Sequence, residues 1–216
     1  MSPSHATPPE QIEQGSFAII DREVPEPRPF QGPSWTVVRR MIHASADFEL
    51  LTLTRIHPRA VDQGVAALQS GVRVITDTEM VRAGITARRM QELGTSVRCF
   101  LNEPGVIEDA GERNLTRSAV AVEKACQTRD HPIFVIGNAP TALFRLLELI
   151  RDGRAEPALI IGMPVGFVGA AESKEQLMEL ERVPWITVRG RKGGSPLAAA
   201  CLNGLAELAL GHEKPL

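Results

Sequence analysis

Five short apolar runs recur along the chain, at Val72–Thr76, Ser96–Phe100, Ile133–Ile136, Ala158–Ile161 and Trp185–Arg189. Each has the length of a strand, and all are bounded by polar or turn-forming residues. Between them lie segments of helical pattern: Asp77–Ala83, Thr86–Leu93, Thr116–Thr128, Asn138–Ile150 (closing at Gly153), Ser173–Leu180 and Ser195–Leu210. An uninterrupted apolar strand has to be covered on both faces, and an intervening helix carries the chain back to run parallel. The pattern therefore predicts an α/β fold in three αβα layers, around a mostly parallel five-stranded sheet. A chain of 216 residues suits one such domain. It is expected over residues 11–216, behind a Pro/Ser/Thr-rich N-terminal tail, residues 1–10, that reads as disordered.

Ahead of this series the pattern is less regular. Gln11–Glu23 reads as a short helix stopped by Pro25, Pro27 and Pro29. Pro33 suits the first turn of a helix whose Trp35, Val38, Met41 and Ile42 mark one buried face. Leu50–Ile56 is extended or strand-like, and Pro58–Ser70 a helix ending at Gly71. Glu103–Asn114 carries no clear pattern and reads as a long loop.

Charge and cysteine usage exclude several classes. Twenty-four basic residues against 26 acidic ones give a net charge of −2, which argues against a dedicated nucleic-acid binder. Cys99, Cys126 and Cys201 are far apart and form no C-x-x-C pair, so neither a disulfide framework nor a zinc site is expected. Cys126 and Cys201 fall among apolar helical residues and read as buried and inert. There is no apolar run long enough for a membrane span and no signal-peptide h-region. Together these place the chain in a reducing cytoplasm, away from membranes.

The densest motif is Leu159–Lys174, L-I-I-G-M-P-V-G-F-V-G-A-A-E-S-K. Glycines just past a strand let backbone N–H groups approach a ligand at the carboxyl end of the sheet, where α/β proteins bind. A tight strand-to-helix turn with no ligand reads the same way. The spacing G-x-x-x-G-x-x-G is not the dinucleotide fingerprint, and no Walker sequence occurs, so the motif gives a bound nucleotide no support. His43 lies four residues before Asp47, a spacing that would let a carboxylate hold the imidazole protonated; a structural histidine is the alternative. His57, His131 and His212 form no metal-ligand spacing. Arg39, Arg40, Arg117, Lys174, Arg189, Arg191 and Lys192 recur at predicted element ends, and together they suit a polyanionic small molecule.

On these residues the chain resembles the precorrin-8X methylmutase family of cobalamin biosynthesis, from about Ile12 to Ala209. The likeness is carried by S-F-A-I-I (Ser16–Ile20), R-R-M-I-H-A (Arg39–Ala44), D-T-E-M-V (Asp77–Val81) and T-R-S-A (Thr116–Ala119). It continues through I-G-N-A-P-T-A-L-F (Ile136–Phe144), I-G-M-P-V-G-F-V-G-A-A-E-S-K (Ile161–Lys174) and R-G-R-K-G-G-S (Arg189–Ser195). The resemblance implies an isomerase that moves a methyl group from carbon 11 to carbon 12 of a corrin precursor, with no cofactor and no metal. It places the proton-transferring histidine at His43. Ser16, Arg40, Thr116, Arg117, Gly166, Lys174 and Arg189 are implied as substrate-binding residues. A homodimer with the active site near the subunit interface is implied as well. Two departures stand out: Asn114-Leu115-Thr116-Arg117-Ser118 replaces the family's Gly-Asn-Thr-Arg-Ser, and Ala44-Ser45-Ala46 follows the histidine. A corrin carrier and a nucleotide-dependent oxidoreductase are the other readings of the same chain.

Overall fold

Residues 8–128 and 130–211 are described in a computed structural model of the chain. Residues 1–7 of the expected tail and His212 lie outside them. Two proline-started helices open the chain, α1 (Pro9–Glu23) and α2 (Pro33–Ser45), as proline's fixed φ and missing N–H favour. A single helical turn, α3 (Leu50–Leu53), leads into β1 (Thr54–Ile56) and α4 (Ala60–Gln69). Then come β2 (Val74–Thr76), α5 (Glu79–Gly84), α6 (Ala87–Glu92), β3 (Val97–Cys99), α7 (Val106–Glu112) and α8 (Arg117–Ala125). The chain ends with β4 (Ile133–Ile136), α9 (Pro140–Arg151), β5 (Leu159–Gly162), α10 (Ala170–Met178), β6 (Trp185–Val188) and α11 (Ser195–Ala209).

The described residues form a six-stranded sheet in the order β1-β6-β5-β4-β2-β3. Its five expected strands are parallel, and β4 and β5 are buried at every position. The expected count of five is corrected by β1, an edge strand antiparallel to β6 that pairs Thr54 with Val188 and Ile56 with Ile186. It lies at the end of Leu50–Ile56, the stretch expected to be extended; Leu50–Leu53 instead form the helical turn α3, and of the three β1 residues only Thr54 is buried. A second correction is α7, a helix inside the stretch expected to be a loop. It begins after Gly105 in the left-handed conformation and buries only Val106 and Ala110. α1 also begins two residues before the expected start.

Side chains pointing to opposite faces of each strand divide the core in two. Val74, Ile133, Val135, Leu159, Ile161, Ile186 and Val188 pack with α1, α2, α4, α5, α6 and α11. Ile75, Phe134, Ile136, Ile160 and Trp185 pack with α7, α8, α9 and α10. α11 is buried on nearly every side, as its Leu/Ala-rich sequence requires, and it lies between the sheet and α2. Gly204 admits that close packing: a Cβ there would come within 3.0 Å of Val37 Cα.

At the carboxyl ends of β2, β4, β5 and β6 the turns are bonded to one another. The Asp77 carboxylate, 5% exposed, accepts from the N–H groups of Gly137 (3.0 Å), Asn138 (2.8 Å) and Ala139 (2.8 Å). Burial pushes its carboxyl above the usual range, against the pull of those amides. Gly137 abuts Ser195, whose Cα a Cβ would meet at 2.8 Å. Gly194 donates to Met163 O at 2.8 Å and Gly166 to Arg191 O at 3.2 Å. These contacts make the β5–α10 and β6–α11 turns one rim.

Candidate active site

The rim gathers the N-termini of several helices, which favour anionic groups. Thr116 caps α8 by accepting from Ala119 N at 3.3 Å, and its hydroxyl lies 2.8 Å from that of Thr141 at the start of α9. A Cβ on Gly169, which caps α10, would meet Phe144 and Pro140 of α9. Large apolar side chains crown this edge: Phe167 is 83% and Val168 89% exposed, with Val165 of the same turn and Met80 of α5, after β2, exposed as well. Arg191 stacks its guanidinium 5.4 Å from the Phe167 ring centre, tying the tips of the two turns.

His43 lies near the end of α2, half-buried. Its ring packs on Phe17 of α1, with centres 5.1 Å apart and planes at 55°. The expected bond from Asp47 does not form. Helix α2 stops at Ser45 because Ala46 turns left-handed (φ 52°), so Asp47 leaves the helical face on which the four-residue spacing relied. Asp47 instead accepts from Lys192 Nζ at 2.6 Å and from its own neighbour Glu49 N at 2.9 Å. Lys192 also pairs with Glu49. Lys192 first, and the Glu49 amide with it, hold the Asp47 carboxyl below the usual range against slight desolvation.

The other expected site residues fall into two groups on opposite faces of the sheet. Ser16 and Arg40 lie with His43. Ser16 donates back to Ile12 O at 2.9 Å, and Arg40 is engaged by Glu207 (2.8 Å from Nε) and Glu13 (3.1 Å). Thr116 and Arg117 lie on the α8 side, where Arg117 is exposed and has no partner among the described residues. Gly166 is in the rim, in a conformation (φ 148°) natural to glycine. Arg189 is exposed, 3.9 Å from Glu175. Lys174 is fully buried; its Nζ donates to Lys192 O at 2.5 Å, and desolvation lowers its pKa to about 8.

Phe17 and Asp77 are the structural members of this region to which the sequence reading gave no role, whereas Asp47 and Lys192 were expected against the imidazole and a polyanion and instead pair with each other. Phe17 and Asp77 lie inside segments that carried the family resemblance, which was the one signal pointing to them. Burial pushes the Cys126 thiol up to about 11 and raises that of Cys201 further, so neither is ionised. A cleft of about 260 Å³ opens at the other end of the sheet, between Cys126, His131, Phe134, Arg154 and Glu156. Among the described residues no group of three or more His, Cys, Asp or Glu is placed to hold a metal ion, and no helix is long and apolar enough to cross a membrane.

Comparison with known proteins agrees with this architecture over its whole extent. Residues 11–208 match the family described as precorrin-8X methylmutase. A cobalt-precorrin-8 methylmutase of Priestia megaterium is 45% identical over 201 residues, 93% of this chain and 88% of that one. A precorrin-8X methylmutase of a Sinorhizobium species is 44% identical over 200 residues, 92% and 94% of the two chains. The crystal structure of a Thermus thermophilus precorrin-8X methylmutase superposes with a TM-score of 0.86 at 44% identity, covering 94% of this chain and 97% of that one. A three-layer αβα protein with this likeness is an isomerase of cobalamin biosynthesis. Within that class, the chain belongs to the precorrin-8X methylmutase family.

Proposed function

We propose that this methylmutase moves the methyl group on carbon 11 of precorrin-8X, or of its cobalt counterpart, to carbon 12, giving hydrogenobyrinic or cobyrinic acid. His43 acts as the general acid. As the methyl leaves carbon 11 and bonds to carbon 12 with its bonding pair, a proton lent to a nearby ring nitrogen withdraws electron density from carbon 12 and so creates electron demand at the migration terminus. The shift is intramolecular, so no atom is gained or lost and the proton is given back afterwards. General-acid help of this kind is worth roughly 10²–10⁴-fold.

The observation that carries the reading is the position of His43 in a family segment, with neither ring nitrogen hydrogen-bonded within the chain among the described residues. An imidazole that must hand a proton to a ligand needs that freedom. Arg117 and Arg189, exposed at element ends, suit the acetate and propionate rim of the ring. The exposed Phe167 and Val168 suit a flat macrocycle or a second subunit, and we infer a homodimer with the rim near its interface. Sedimentation of the purified protein at dimer mass supports that inference; a monomer at working concentration removes it.

The reaction is tested by adding precorrin-8X and following the visible spectrum. The shift extends conjugation, so the band moves to the red. His43→Ala should bind the ring and leave the spectrum of bound substrate unconverted. Conversion by the alanine variant at the wild-type rate removes His43 from the mechanism. A ring carrier would show binding without the red shift in the wild type.

A further inference from the structure

We infer that Phe17 is the positioning residue for His43: an aromatic wall, and not a carboxylate, sets the direction of the imidazole. This rests on the general-acid reading above. The two ring centres are 5.1 Å apart and tilted by 55°, inside the range in which aromatic pairs attract. Among the described residues the His43 ring makes no hydrogen bond or ion pair, and this is its one ring contact.

Phe17 can serve because it is itself held. The Arg39 guanidinium lies 4.6 Å from its ring centre and that of Arg40 5.3 Å, both at cation–π distance. Those cations are fixed in turn: Arg39 by Asp21 at 2.8 Å, Arg40 by Glu207 and Glu13. Phe17 also packs against the buried core on that side of the sheet. The ring is thus flanked by two guanidiniums that three carboxylates hold in place, and it passes that order to the imidazole.

An aromatic wall also suits the chemistry better than the carboxylate expected from the sequence. A carboxylate partner takes up one imidazole nitrogen and its proton. A phenyl ring has no acceptor for that proton, so it orients the imidazole while leaving both nitrogens to the ligand. Misplacing a reacting group by about 1 Å can cost on the order of 100-fold in rate. Removing the wall should therefore lower kcat far more than it changes KM.

The test uses Phe17→Leu and Phe17→Tyr in the full chain, with His43→Gln to assign the His43 ring protons by NMR. In Phe17→Leu those protons should lose the ring-current displacement, and kcat with precorrin-8X should fall about 10- to 100-fold with KM little changed. Phe17→Tyr, which keeps the ring, should restore both. His43 signals unmoved in Phe17→Leu would overturn the proposal, as would moved signals with kcat unchanged. If His43→Ala turns substrate over normally, the general-acid reading has failed and takes the proposal with it; the NMR displacement still reports separately whether the wall exists. A Phe17→Leu chain that unfolds is replaced by Phe17→Met, to which the same outcomes apply.

Discussion

Lys174 reaches from α10 to the backbone carbonyl of Lys192, 2.5 Å away, from a side chain that solvent does not touch. No carboxylate is bonded to it among the described residues. One backbone carbonyl holds the buried ammonium, and the side chain of the residue bearing that carbonyl pairs with Asp47 and Glu49 after α2. The turn carrying Gly193 and Gly194 is thereby tied to α10 on one side and to the end of the His43 helix on the other.

Burying that ammonium has a cost that depends on pH. Desolvation lowers the Lys174 pKa from 10.5 to about 8. Below pH 8 both folded and unfolded chains carry the proton, and the folded one bears the full desolvation penalty. Between about pH 8 and 10.5 the unfolded chain holds the proton and the folded chain has lost it, so the stability of the fold rises with pH. The span is worth up to about 3 kcal/mol. Urea unfolding of wild type and Lys174→Met at pH 7 and pH 10 should show the wild type gaining on the variant by that order. A difference that stays constant across this window rules out the buried charge.

Two arginines, each from a different family segment, should behave in opposite ways. Arg40 is held by Glu207 and Glu13 and stacks on Phe17, with its side chain 11% exposed. Arg40→Ala should destabilise the fold by about 2–3 kcal/mol, below the usual cost of breaking a buried pair, because Arg89 still faces Glu207. Arg117 is exposed and unpartnered among the described residues, so Arg117→Ala should leave stability within about 0.5 kcal/mol. It should weaken binding of hydrogenobyrinic acid roughly tenfold, as losing one charged hydrogen bond does. Spectrophotometric titration measures this, and added salt should shrink the difference.

That contrast marks what the sequence could and could not convey. The central strands β2, β4, β5 and β6 were legible because burial on both faces favours apolar residues, as in Ile133–Ile136. The edge strand β3, with Arg98 exposed, was legible from its place in the helix–strand alternation. β1 was legible only as the end of the extended stretch Leu50–Ile56, whose first four residues form the helical turn α3; an edge strand of three residues with one buried side chain has no period to set its bounds. α7 was hidden by its short length and by Gly111 inside it. At the site, the cations were legible as types, but their partners were not. Arg40 meets Glu207, 167 residues away, and nothing local distinguishes it from the free Arg117. The Asp47 expectation failed on a single left-handed alanine, a conformation that alanine does not advertise.

The rim itself depends on glycines for two different reasons, which separate on substitution. Gly190 is left-handed (φ 73°) with open space where a Cβ would go, so Gly190→Ala should cost about 1 kcal/mol of backbone strain and leave ring binding intact. At Gly193 a Cβ would overlap the carbonyl of Met163 and crowd Pro164 O, and backbone atoms cannot swing aside. Gly193→Ala should force the β5–α10 and β6–α11 turns apart, at about 3 kcal/mol or more. Ring affinity should fall with it. Equal melting temperatures and affinities for the two variants would mean the turns are not packed as described.

Asp47 supplies the sharpest separation between the two views of His43. If a carboxylate four residues on governed the imidazole, Asp47→Asn would shift the pH profile of kcat and slow turnover. The geometry gives that carboxylate to Lys192, with both side chains partly exposed, so the ion pair should stabilise the chain only slightly. Lys192 lowers the Asp47 pKa below 3.8, so what the pair contributes is present above that value and is lost as the pH falls through the lowered one. Near neutral pH, Asp47→Asn should therefore turn over close to the wild-type rate with an unshifted profile, while Phe17→Leu does not. Rates measured for both variants from pH 6 to pH 8.5 decide between a carboxylate and an aromatic ring as the partner of His43.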